Sequence, residues 1–219
     1  MKVRCQNCSH EGDVSLPDPT MGIGLLSCPE CSQPIASVDV SEQETWIKRQ
    51  VGWRQSLNTR KQSACQSDYE ISHDGLAAEL AAAVLLCPAN IEAWRRATET
   101  GGGNRGRDFL SEWTGLDKPV EVKQTTYRSE TTGYLLVRPP RMTPGRMLES
   151  YIDDCIYMLL WGKGYSYTWI GWTDRVGLLR YGQLNPVPMN GRQRECWGIH
   201  WKRLYPIESL VARFATHAA

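Results

Sequence analysis

The sequence has almost no net charge. Its 25 Lys and Arg residues face 24 Asp and Glu residues, which leaves a formal net charge of +1. A chain with so little net charge attracts nucleic acid only through local basic patches. Charged residues still make up 22% of the chain and hydrophobic residues 41%. This composition is typical of a folded globular protein and excludes an intrinsically disordered one.

Long apolar runs are also missing. No uncharged apolar stretch reaches the length of about 20 residues that a membrane-spanning helix needs, and Met1–Cys8 lacks the apolar run of a targeting peptide. We therefore expect a cytoplasmic protein without membrane contacts, in a bacterium or in a phage-infected host. Disulfides are rare in a reducing compartment, so the eight cysteines need another explanation.

Two C-x-x-C pairs stand near the start of the chain. Cys5 and Cys8 form the first pair, Cys28 and Cys31 form the second, and 19 residues lie between the two pairs. Two such knuckles complete a tetrahedral Zn²⁺ site. We predict a zinc ribbon over residues 1–40 whose structural zinc supplies folding energy. The alternative is four reduced cysteines without a metal.

Basic residues follow the ribbon. A helix is predicted to start at Ser41, in a linker over residues 41–70 that also contains tryptophans. Lys48, Arg49 and Arg54 of this linker are candidate contacts to a phosphate backbone. An amphipathic helix that packs its tryptophans on the main domain explains the same pattern equally well.

The remaining elements alternate between helix and strand. Hydrophobic patterns predict helices at 72–86, 91–98 and 144–161, strands near 107–110, 120–126, 134–138 and 165–172, and short strands and loops up to about residue 211. This order predicts an α/β fold with a mixed sheet flanked by helices. The G-x-G-x-x-G match at residues 101–106 follows a helix instead of a strand, so a turn explains it better than a dinucleotide site.

An acidic and a basic residue share one face of a predicted strand. Side chains alternate along residues 119–124, so Glu121 and Lys123 lie on one face while two valines enter the core. Alone, such a pair is most often a solvated surface ion pair. Asp108 lies upstream, after a glycine-rich turn. Glu79 lies inside an alanine-rich helix, where it is either a site residue or a solvent-facing acid.

Asp108, Glu121, Lys123 and Glu79, in this order of elements, resemble the PD-(D/E)XK nuclease superfamily. The resemblance covers about residues 75–172 and implies a restriction-endonuclease-like αβββαβ core, within a domain over residues 71–219. Arg107 stands where the name of the motif has Pro.

The resemblance implies a metal-dependent nuclease. Asp108 and Glu121 would bind Mg²⁺ or Mn²⁺, Lys123 would orient the attacking water or stabilise phosphate charge, and Glu79 would act beside the metal. A carboxylate-bound divalent ion is suited to this task, since it acidifies water and neutralises phosphate charge. The expected partner is nucleic acid, DNA in particular, and a homo-oligomer is compatible with the sequence.

Further arginines surround the predicted site strand. Arg128, Arg138 and Arg141 are candidate contacts to phosphate groups, and a scattered solvated surface is the alternative. Two other functions compete with the nuclease. One is a non-catalytic nucleic-acid-binding or adaptor protein on a nuclease-like scaffold. The other is an iron–sulfur nuclease, which the positions of the downstream cysteines disfavour.

Overall fold

The described part of the chain forms both strands and helices. The computed structural model describes residues 1–13, 26–33, 35–56, 68–100, 107–126, 133–137, 152–186 and 196–210. Its strands, in chain order, are β1 (Lys2–Arg4), β2 (Glu11–Asp13), β3 (Ser37–Asp39), β4 (Val120–Thr125), β5 (Tyr134–Val137), β6 (Ile156–Lys163), β7 (Ser166–Asp174), β8 (Gln183–Leu184) and β9 (Trp197–His200).

α-Helices accompany these strands in the described parts of the chain. Those with defined bounds are α1 (Glu44–Ser56), α2 (Asp68–Leu86), α3 (Ile91–Thr100), α4 (Ser111–Thr114) and α5 (Arg175–Tyr181), and residues 207–210 are also helical. Short 3₁₀ turns precede α1 and α3, at Ser41–Gln43 and Pro88–Asn90, and a third spans Trp201–Arg203.

The strands form two sheets. The larger sheet has the order β2-β1-β3-β7-β6-β4, and the smaller has the order β5-β9-β8. In the larger sheet β4 pairs in parallel with β6, whereas the other pairs are antiparallel. The predicted mixed α/β fold, with helices packed on a mixed sheet, is confirmed.

Helix α2 lies in the main core. Every residue from 76 to 87 is buried apart from Glu79, and the helix contacts β3, β4 and β6. The sequence predicted one apolar face, but small alanines let the helix be covered all round, as happens to a helix in the interior of a protein. A single carboxylate among these side chains is therefore placed at the edge of the core.

The predicted helix at 144–161 is wrong over its described part. Residues 152–155 are not helical, residues 156–163 form strand β6, and the segment 144–151 lies outside the described residues. The first five residues of β6 are buried on both faces of the sheet. A strand covered on both faces is apolar throughout, so it cannot be told from a buried helix by its periodicity.

The N-terminal strands belong to the same sheet as the rest. Strand β1 pairs with β3, and β3 pairs with β7, so hydrogen bonds cross the predicted boundary after residue 40. The apolar residues around Cys5 and Cys28 also join the core that surrounds α2. The boundaries of the three predicted segments themselves stay a prediction.

Among the described residues, no single helix is long and apolar enough to cross a membrane. One bent pair, Tyr69–Leu86 with Pro88–Thr100 at an angle of 117°, meets the criterion of length and composition only when both helices are taken together.

Candidate metal centre and catalytic site

The four N-terminal cysteines form one cluster. The sulfur of Cys5 lies 3.6 Å from that of Cys31, and the sulfur of Cys8 lies 3.6 Å from that of Cys28. All four sulfurs lie within 4.8 Å of one another. A tetrahedral zinc site with bonds of about 2.3 Å places its sulfurs about 3.8 Å apart. The cluster can therefore hold a metal ion such as zinc.

The two cysteine knuckles have the same backbone hydrogen bonds and the same backbone conformation. In the first, Cys5 donates its N–H to the carbonyl of the residue five positions later and accepts a hydrogen bond from the N–H of Ser9. Cys28 and Ser32 repeat both bonds in the second knuckle. Ser9 and Ser32 have the left-handed φ angles of 61° and 58°. This matched geometry turns each cysteine pair toward a common point.

Hydrogen-bond donors stabilise a thiolate in the cluster. The backbone N–H of Gln33 and the side chain of Asn7 lower the pKa of Cys31 to about 6. A lowered pKa favours the ionised form that binds metals.

Strand β4 presents the predicted acid–base pair. Val120 and Val122 are buried, whereas Glu121 and Lys123 are half-buried on the opposite pleat. The ammonium group of Lys123 donates a 2.6 Å hydrogen bond to the carboxylate of Glu121. Because the two side chains are paired beside the core and not in open solvent, the pair differs from an ordinary surface ion pair.

Asp108 is fixed at the outer edge of β4. Its carboxylate accepts a 2.6 Å hydrogen bond from the backbone N–H of Val122, which lies between the two paired residues of the strand. Phe109 forms a two-way backbone bridge with Val120, and the indole of Trp94 donates to the Asp108 carbonyl at 3.1 Å. The predicted strand at 107–110 is thus reduced to this bridge, which positions the carboxylate.

The carboxylates of Glu79 and Glu121 act on the carboxyl group of Asp108. Burial raises the pKa of Asp108 well above its usual value, and the negative charges of Glu79 and Glu121 raise it further. The positive charge of Lys123 lowers the pKa of Asp108. For Lys123 itself, burial opposes the charged form, but the carboxylates of Glu121 and Asp108 outweigh it and its pKa is raised. The structure therefore brings Glu79, Asp108, Glu121 and Lys123 together.

Arg54 joins this cluster. Its guanidinium contacts both carboxylate oxygens of Glu79, with Nη1 at 3.4 Å from Oε1 and Nη2 at 3.0 Å from Oε2. The sequence suggested Arg54 as a phosphate contact and gave no sign of this pairing, since 25 residues separate the two. Only the packing of α1 on α2 brings them together.

The carboxylate cluster fits a hard divalent cation. Its donors are all oxygens, and a cation would offset the burial and the negative charges that raise the pKa of Asp108. Among the described residues, the four cysteines are the only His, Cys, Asp or Glu ligands that converge in a group of three or more within 4.8 Å. The three carboxylates do not converge this closely, so an ion shared by them would be held by some of them through water, as is usual for Mg²⁺.

The other predicted phosphate contacts are in different situations. Lys48 pairs with Glu44 of its own helix at 2.6 Å, and Arg49 pairs with Glu99 at 3.2 Å. Arg128, Arg138 and Arg141 lie outside the described residues. Their roles in binding nucleic acid stay predictions.

Trp46, on the linker helix α1, is part of the core. Trp46 is buried, donates its indole N–H to Glu99 at 2.8 Å and lies 5.9 Å from the Trp94 ring. This packing agrees with the amphipathic alternative for the linker helix, as far as Trp46 is concerned.

Comparisons of the chain with protein-family models, with curated proteins and with solved structures find no match. The geometry of the two clusters is therefore the basis for assigning a function.

Proposed function

We propose that the protein is a metal-dependent nuclease of the PD-(D/E)XK type that hydrolyses phosphodiester bonds in DNA. One observation carries the proposal. Glu79, Asp108, Glu121 and Lys123 come from a helix, a bridge and a strand. The charges of the other three all act on Asp108, and Lys123 donates a hydrogen bond to Glu121. The proposal includes a restriction-endonuclease-like core around β4 and β6.

The residues of the cluster have distinct roles in this reaction. Asp108 and Glu121 would hold Mg²⁺ or Mn²⁺, with Glu79 acting through a water. The bound cation supplies a nucleophilic water at neutral pH and stabilises negative charge on the phosphate. Lys123 stays protonated at neutral pH, because its pKa is raised, and its ammonium can donate a hydrogen bond to a phosphate oxygen.

The cysteine cluster has a structural role in the proposal. With four sulfurs it leaves no open position for a substrate, which is the usual arrangement of a structural zinc site. The zinc ribbon would fix β1 and β3 at one end of the sheet, far along the strand order from β4.

Cleavage assays test the proposal. Labelled single- and double-stranded DNA, and RNA, are incubated with zinc-loaded protein in Mg²⁺, in Mn²⁺ and without either ion. We expect metal-dependent cleavage of DNA by the wild type. Glu121→Gln and Lys123→Met should each lower kcat about 100-fold or more, since each removes a charge from the site of reaction.

Matched controls separate loss of chemistry from loss of fold. Glu112→Gln and Lys118→Met change the same residue types near β4 but outside the cluster, where Lys118 pairs with the exposed Asp154. Both variants should cleave at the wild-type rate. A wild-type protein that binds DNA or RNA but cleaves neither would contradict the nuclease and favour the adaptor protein.

A further inference from the structure

The ion pair between Arg54 and Glu79 differs from the other ion pairs of helix α1. The guanidinium meets both oxygens of the carboxylate, and only 25% of the Arg54 side chain and 18% of the Glu79 side chain are exposed. Arg49 on the same helix meets one oxygen of Glu99 and is 68% exposed. A two-point contact fixes the rotation of a carboxylate, whereas a single exposed contact does not.

This fixed carboxylate acts on the cluster through its charge. The charge of Glu79 acts on Asp108, and the charge of Asp108 acts in turn on Arg54. Arg54 thus adds a permanent positive charge, since a guanidinium is protonated at all physiological pH values. Glu79 itself lies on the buried helix α2, which cannot shift without disturbing the core.

We propose that Arg54 is a positioning residue of the metal site, which orients Glu79 and limits the affinity of the site for a divalent cation. The inference rests on the proposed function. Its two parts depend on different properties of the side chain. Orientation requires the planar fork of the guanidinium, whereas the effect on affinity requires only a positive charge near the three carboxylates.

Two substitutions separate these properties. Arg54→Met removes the charge and the fork but keeps a stem of similar length. It should lower the Mn²⁺ dissociation constant about tenfold, because one opposing charge is lost, and lower kcat about 100-fold, because Glu79 is no longer held. Arg54→Lys keeps the charge without the fork, so its Mn²⁺ affinity should equal that of the wild type while its kcat falls.

Mn²⁺ binding is measured apart from cleavage, by electron paramagnetic resonance of Mn²⁺ added to the zinc-loaded protein. Arg95→Met is the matched control. Arg95 is 21% exposed and pairs with Glu92, so it resembles Arg54 in burial and charge but lies outside the cluster. This variant should keep the wild-type affinity and the wild-type kcat. In a Glu79→Gln background, Arg54→Met should cause little further loss of kcat, because the residue that it positions is already changed.

The outcomes distinguish this inference from the proposed function. Unchanged Mn²⁺ affinity and unchanged kcat in both Arg54 variants would overturn the inference and leave the nuclease intact. An equal loss of kcat with and without Glu79 would overturn it as well. A wild-type protein whose Mn²⁺ binding is absent, or is unaffected by Glu121→Gln, would overturn both the metal site and the inference.

Discussion

At the scale of single residues, Asp108 has an environment that is unfavourable for its charge. The carboxylate is half-buried beside two other carboxylates, and one backbone N–H and one lysine only partly offset this. Natural proteins accept such local destabilisation where a site needs it for function. Stability and activity should therefore respond in opposite directions to a neutral side chain at this position.

Asp108→Asn tests this expectation. The amide oxygen can still accept the hydrogen bond from Val122, while the negative charge is gone. Without Mg²⁺ or Mn²⁺ the variant should melt about 2–4 °C above the wild type, the shift that about 1 kcal/mol causes in a domain of this size. Cleavage should be lost. Thermal unfolding followed by circular dichroism measures the first effect.

A matched substitution at the surface shows whether the higher melting temperature is specific to the site of Asp108. Asp154 is 62% exposed and pairs with Lys118. Asp154→Asn should change the melting temperature little, because exposed ion pairs contribute little to stability. A lower melting temperature for Asp108→Asn would mean that the neighbouring charges stabilise the Asp108 carboxylate instead of opposing it.

At the scale of elements, the sequence predicted those helices and strands that are determined by the pattern of their own residues. Helix α3 begins at Ile91 as expected, and β4 has its two valines buried and its two charged residues on the other pleat. Strand β6 was missed, because its apolar residues are covered on both faces by partners distant in sequence. The pairing of Arg54 with Glu79 was missed for the same reason, since it arises only from helix packing.

Asp39, at the end of β3, should make the stability of the fold depend on pH. The Asp39 carboxylate accepts hydrogen bonds from the backbone N–H of Ser41 and the hydroxyl of Ser166. Burial opposes its ionised form, but these donors outweigh burial, and the pKa of Asp39 lies below its usual value. The carboxylate therefore stabilises the fold above about pH 4, the usual pKa of Asp, and this contribution is lost as the pH falls through the lowered value.

Urea unfolding of wild type and Asp39→Asn measures this contribution. The wild type should be more stable by about 1 kcal/mol at pH 7, the usual net contribution of a hydrogen bond, and the difference should shrink as the pH falls below about 4. Asp13→Asn, at an exposed carboxylate on β2, is the control and should change the free energy of unfolding little. A constant difference between the variants from pH 7 to pH 3 would contradict the role of the Asp39 charge.

At the scale of the whole molecule, the cysteine cluster and the carboxylate cluster share one sheet and one core. The strands that flank the cysteines pair through β3 with β7, and β7 pairs with β6, which carries β4 on its other side. The backbone N–H of Leu26 also donates to the carbonyl of Leu85, at the end of α2. A small ribbon that depended on its metal alone would instead unfold separately from the main domain.

Removal of the metal should therefore destabilise the entire fold. Cys28 is buried and belongs to the common core, so Cys28→Ser should lose zinc and lower the melting temperature in one cooperative transition. Far-ultraviolet circular dichroism reports the backbone, and tryptophan fluorescence reports the core around Trp94 and Trp169. The two signals should change together, whereas Cys196→Ser, a buried cysteine outside the cluster, should keep its zinc. Two separate transitions, with the fluorescence signal unchanged by zinc loss, would show that the ribbon is independent of the sheet it joins.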